Sequence, residues 1–246
     1  MVVILAAWSL ALRELRRFYR QPSRVAGVLA TPVVFWLITG SGLGGDFLAH
    51  LYPGTLAMIL LFASIFSTIS IIEDRREGFL QGVLVAPVPG TGIALGKVLG
   101  GAAVALTQGL LFLALAPLSG LRPGPGGYAA ACGVMALLAF ALTSVGVLLA
   151  WRFESVQGYH AVINLVLVPM WILSGAVFRI GQAAPWVEAV MAVNPMAYGV
   201  SALRHALAGT APHPFGASLG VTAAFAAVAF GLAGVTARSR GRRGVV

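Results

Sequence analysis

LYPGTLAMILLFASIFSTISII (residues 51–72) runs without a charged side chain and stops against Glu73-Asp74-Arg75-Arg76-Glu77. A helix rises about 1.5 Å per residue, so about 20 apolar residues cross a hydrocarbon core about 30 Å thick. This stretch is long enough to do so. Five comparable runs accompany it, at residues 25–42, 93–119, 127–150, 156–178 and 215–236. The chain reads as an all-α membrane protein of six transmembrane helices, organised as a single domain over residues 1–246. Its composition agrees, with 59% hydrophobic and 9% charged residues and a mean hydropathy of +0.93. A soluble domain carries charge at about a quarter of its positions.

Lys and Arg near span ends stay preferentially on the cytoplasmic side. With six spans both termini share a side, and the segments of that side hold Arg13, Arg16, Arg17, Arg20, Arg24, Arg75, Arg76, Lys97, Arg152, Arg238, Arg240, Arg242 and Arg243. The other side has Arg122, Arg179 and Arg204. Both termini are expected to be cytoplasmic. The net charge of +9 does not point to nucleic acid, because these arginines flank apolar spans with no aromatic platform or base-reading module. Anionic lipid headgroups are the expected partner.

Residues 1–22 are not a signal peptide, since the positive charges follow the apolar part instead of preceding it. Ile4, Trp8, Leu12, Leu15 and Tyr19 recur on one helical face, with Ser9, Arg13, Arg16 and Arg20 on another, and Pro22 closes the pattern. An interfacial helix is expected, anchored by Trp8 at headgroup level and by Arg13, Arg16, Arg17 and Arg20 on phosphates. A simple positive-inside anchor is an equal alternative.

The segment PGTGIALGKV (residues 89–98) fails as a phosphate-binding loop. Thr91 stands where the first glycine is required, and Val98 stands where Ser or Thr would hold magnesium. Lys97 reads instead as a snorkelling lysine at a span end. Asp46, Glu73, Asp74, Glu77, Glu154 and Glu188 all fall at or beyond span ends, so no intramembrane proton relay is visible. Thr107, Gln108, Thr143, Ser144 and Asn164 are the mid-span polar groups, read as bonds between helices. Neither a metal cluster nor a nucleophile–base pair is present, and Cys132 is the only cysteine. The chain is not expected to be an enzyme by itself.

Two connecting regions are not simple loops. Residues 73–90 begin charged, continue with Phe79, Leu80, Val83 and Leu84, and stop at Pro87 and Pro89. They read as a small helix offered either to a cytoplasmic partner or to the membrane surface. Residues 179–214 are too apolar for a solvated loop, and Asn194-Pro195 marks a turn between two helices too short to span. These read as re-entrant helices on the outer side, serving as an exit cap or as a purely structural lid.

Taken together, RELRRFYRQPSR (residues 13–24), EDRREGFLQGVLVAPVPGTGIALGKVLG (73–100), PMWILSGAVF (169–178) and NPMAYGVSALRHAL (194–207) resemble the type-2 ABC exporter permeases of bacteria, most of all the drug- and lipid-exporting permeases related to daunorubicin resistance proteins. The resemblance covers nearly the whole chain. It implies that the loop contains the coupling helix seated in a separate ATP-binding subunit, with Glu77, Gly78, Leu84 and Pro87 matching the pattern there. It also implies two ATP-binding subunits, which carry the ATP and magnesium, and a second permease copy, identical or not, near the first and fifth spans. The implied location is the bacterial inner membrane. Phe178 is followed by Arg179 where many relatives have proline, a departure at the start of the external helices.

On this reading Arg76 and Glu77 supply ionic contacts to the motor, Phe79 and Leu84 the buried anchor, and Glu73 opens the coupling segment. The expected function is ATP-driven export of an amphiphilic or lipid-linked substrate: a drug, lipid or polysaccharide. A non-transporting scaffold that anchors a cytoplasmic complex is the alternative, and an ion-coupled carrier is disfavoured by the absence of core carboxylates.

Overall fold

The computed structural model describes residues 2–44, 46–79, 90–178 and 183–243. Among these there is no strand, and six helices are long and apolar enough to cross a membrane. The first helix, α1 (Val2–Tyr19), is separated by a turn from α2 (Pro22–Gly42). Then come α3 (Phe47–Arg76), α4 (Gly90–Leu113) and α5 (Pro125–Ala150). A broken helix, α6 (Val156–Ala176), precedes the short α7 (Pro185–Val193) and α8 (Pro195–Ala208), and α9 (Phe215–Arg243) closes the chain.

The spans α2 to α6 and α9 alternate in direction. The start of α4 lies against the end of α9, where a Cβ on Gly90 would come within 3.0 Å of the Ala237 carbonyl carbon. The end of α3 lies against the link between α5 and α6. At the centre is α3, whose apolar length is almost wholly enclosed, packed on α4, α5 and α2; α2 and α9 are peripheral.

Several span limits, and the regularity of one span, differ from the sequence reading. Glu73 to Arg76 form the last turn of α3, so the loop begins at Glu77. The fourth helix ends at Leu113, and Ala116–Ser119 is a separate tight turn of 3₁₀-helix opened by Pro117. The fifth span is not regular: a wide π-turn occupies Ile163–Leu167, and the helix is kinked within Ile172–Ala176, where Leu173 leaves the helical conformation and Gly175 has a φ of +77°, a left-handed conformation open to glycine.

The helices are tied together by polar groups other than the mid-span set read from the sequence. The Thr107 and Ser144 hydroxyls donate to Ala103 and Phe140, four residues back in their own helices, and Asn164 is exposed. Within the apolar part of the bundle, three bonds between helices come from aromatic residues, whose long side chains reach across a helix gap. Tyr52 donates to the Phe112 carbonyl at 2.6 Å, Trp171 to the Gly54 carbonyl at 2.8 Å, and Tyr159 shares a 2.6 Å bond with Thr68.

Candidate functional site

Along α1, Ala7, Leu10, Glu14 and Phe18 recur at helical spacing and are buried. They face α4 where it carries Gly96 and Gly100, four residues apart. A Cβ on Gly96 would lie 2.9 Å from the Ala7 carbonyl oxygen, and one on Gly100 would lie 2.8 Å from the Glu14 Cβ. Small residues at this spacing let two backbones meet. The close crossing carries Glu14 inward, level with Lys97 on α4 and Asp74 on α3.

There the three helices share a buried ionic cluster. Lys97 Nζ donates to Glu14 Oε1 at 2.6 Å, to Asp74 Oδ2 at 2.5 Å and to Ser70 Oγ at 3.3 Å, which uses all three of its protons. Arg13 grips Asp74 with two bonds of 2.8 and 2.9 Å, and Arg17 bonds Asp74 at 2.7 Å and Glu73 at 2.9 Å. Asp74 thus accepts four bonds, the full capacity of a carboxylate, while 0% exposed. Three cations meet three carboxylates, so the cluster is neutral. Buried charge is tolerated only in this paired and hydrogen-bonded form. Hydrogen bonding to Asp74 raises the Arg13 guanidinium above its ordinary value, so its charge is permanent.

From the same helix end, the next two residues reach the opposite way. Arg75 donates to the Phe153 carbonyl at 3.1 Å and the Ala150 carbonyl at 3.0 Å, and Arg76 donates to the Glu154 carbonyl at 3.2 Å. The last turn of α3 therefore gathers α1, α4 and the α5–α6 link at the root of the loop. Gly78, with a φ of +75°, turns the chain out of the helix, and the Arg13 guanidinium lies 3.9 Å from the centroid of the Phe79 ring.

At the far end of the bundle, Asn194 caps α8 by accepting from the Met196 N–H at 3.0 Å. Its amide donates to the carbonyls of Met170 and Leu173 at 2.7 and 2.8 Å. Pro195 takes the first helical position of α8. Arg204 of α8 donates to the Gly175 carbonyl at 3.0 Å. The two short helices are thereby pinned to the break in α6.

A scan of known families matches residues 6–208 to the ABC-2 type transporter family. The chain belongs to that family. It is the transmembrane, non-catalytic component of an ABC transporter, a multi-pass inner-membrane permease that works with an ATP-binding cassette partner. Among its relatives, nodulation protein J of Rhizobium meliloti (strain 1021) is 26% identical, with 88% of this chain and 86% of the relative aligned. The inner membrane transport permease YadH of Escherichia coli (strain K12) is also 26% identical, over 98% of this chain and 96% of its own. The probable multidrug ABC transporter permease YbhR of the same organism is 24% identical over 61% of this chain and 41% of its own.

In this ABC-2 permease the residues expected to meet the motor are differently occupied. Glu73 is held by Arg17, and Arg76 is bonded within the chain. Phe79 is half exposed beneath Arg13, while Glu77 is exposed and 3.8 Å from Arg17. Leu84 and Pro87 lie outside the described residues, as does Arg179. Of the arginines expected on lipid phosphates, Arg13 and Arg17 are committed to carboxylates, whereas Arg16 and Arg20 are exposed, as is Trp8. Lys97 does not snorkel to the surface: its side chain is 2% exposed, because Glu14 and Asp74 supply the partners that water would. Glu14, Ser70, Asp74 and Lys97 were not among the site residues drawn from sequence. Their one local signal is that a lone lysine and a lone glutamate stand in otherwise apolar or basic runs.

Proposed function

We propose that this permease exports an amphiphilic or lipid-linked substrate, a drug, lipid or polysaccharide, from the cytoplasm or inner leaflet. Two copies of a separate ATP-binding subunit power the step by docking on the loop between α3 and α4, with both permease termini on the cytoplasmic side. A second permease copy, identical or related, completes the translocation path.

The observation that carries this reading is the neutral cluster at the loop's root. A push on the loop meets an end of α3 bonded to α1, α4 and the α5–α6 link, so these elements move as a unit and bias one arrangement of the spans against another. The mostly apolar spans favour an amphiphile over a compact ion, and the name of the Escherichia coli relative YbhR supports a drug-like cargo.

Leu84→Asp tests the docking surface. The expected result is loss of the ATP-binding subunit in a pull-down, together with loss of the vanadate-sensitive, substrate-stimulated ATPase activity of the reconstituted pair. Unchanged association and transport would sink the assignment of this loop as the motor contact.

A further inference from the structure

The chain carries 16 basic residues against seven acidic ones. Glu14, Glu73 and Asp74 are consumed by Lys97, Arg13 and Arg17. Asp46 and Glu188 stand at the opposite end of the bundle, before α3 and on α7. Arg16 and Arg20, successive on one face of α1, are exposed and make no side-chain ion pair or hydrogen bond among the described residues. Glu77 lines the same surface but its ion-pair contact is to Arg17, at 3.8 Å, and Glu154 lies in the α5–α6 link beside Arg76. Arg16 and Arg20 are thus left open to an anion from outside the chain.

The surface around them has a particular shape. A groove of about 850 Å³ runs along α1, lined by Trp8, Leu12, Arg16, Arg20, Gln21 and Glu77 among others. The helix has three sides: Ala7, Leu10, Glu14 and Phe18 face the protein, Arg16 and Arg20 form a cationic strip, and Ile4 and Trp8 lie on a third, apolar side. Trp8 is 67% exposed and Ile4 73%. An acidic protein surface would neutralise the arginines and leave this apolar side uncovered. A membrane lipid satisfies both, with its phosphate on the guanidinium groups and its glycerol and upper acyl carbons against the indole.

We propose that this groove is a binding site for an anionic glycerophospholipid of the adjacent leaflet, held by Arg16 and Arg20 through its phosphate and by Trp8 and Leu12 through its apolar part. The site adjoins the loop root, since Glu77 lines the same groove.

The test uses the full-length permease in neutral detergent, titrated with phosphatidylglycerol, phosphatidylcholine or inorganic phosphate while thermal unfolding is followed. Phosphatidylglycerol stabilises the wild type saturably, and inorganic phosphate does not. R16Q/R20Q weakens the apparent affinity roughly thirtyfold, while R152Q/R238Q, which removes the same charge from exposed positions elsewhere, stays within about twofold of wild type. R16K/R20K folds with the charge retained and recovers part of the loss. Trp8→Ser weakens the lipid with both arginines in place, which separates a lipid site from a bare anion site. Three results overturn the proposal: equal weakening by both double variants, stabilisation by inorganic phosphate as strong as by lipid, or unchanged lipid affinity in R16Q/R20Q. In the last case, loss of the ATP-binding subunit from the same variant in a pull-down assigns the groove to a protein partner.

Discussion

Lys97→Met replaces the buried ammonium with an uncharged side chain of similar length and tests whether the ionic cluster is a sealed, neutral unit. Asp74 keeps Arg13 and Arg17, but Glu14 loses its 2.6 Å partner and retains only an Arg13 contact at 3.4 Å while 4% exposed. A carboxylate left unpaired in a buried site costs about 3–5 kcal/mol. At roughly 2–4 °C per kcal/mol for a chain of this size, the expected fall in melting temperature is about 6–20 °C. The assay is thermal unfolding of the purified permease in detergent, run beside E14Q and E14Q/K97M. The double variant removes one charge of each sign and leaves two arginines facing Glu73 and Asp74. It should therefore recover more than half of what K97M loses, a non-additivity expected of directly paired groups. A K97M shift below about 2 °C would refute the reasoning, because it would rank Lys97 with solvent-screened surface pairs worth about 0–1 kcal/mol. Additive losses in the double variant would refute it equally.

Gly100→Val places a branched side chain where a Cβ alone meets Glu14 Cβ at 2.8 Å and Ala11 Cα at 3.0 Å. It should lift α1 from α4 and make α1 protease-sensitive in membrane vesicles, whereas Gly133→Val, which meets nothing within 4 Å, should not. Asn194→Asp keeps the acceptor that caps α8 but removes the donations to Met170 and Leu173, and should cost about 2 kcal/mol in thermal unfolding, at about 1 kcal/mol per bond.

The spans were legible because a charge-free run of bilayer length admits few alternatives, and Asn194-Pro195 was legible because cap and turn chemistry is local. The cluster was not, for a geometric reason. Glu14 and Lys97 are 83 residues apart, and Lys97 and Asp74 are 23 apart. The packing of α3 on α4 joins the second pair, and the crossing of α1 over Gly96 and Gly100 brings in Glu14. The same crossing gave α1 a third, protein-facing side that a two-faced periodicity does not distinguish. In α6, a continuous apolar run gives no sign of the kink at Leu173 and Gly175, whose carbonyls are taken by Asn194 and Arg204 from the chain beyond it.

The break in α6 bears on how this end of the bundle can open. The carbonyls of Met170, Leu173 and Gly175 take donors from α8. Hydrocarbon offers no substitute for those donors, and each carbonyl left bare in lipid costs several kcal/mol. Water offers a nearly equivalent one. Separation of α8 from α6 is therefore a hydration event: the two helices part where water follows them in, and stay together wherever the surrounding bilayer keeps that end dry.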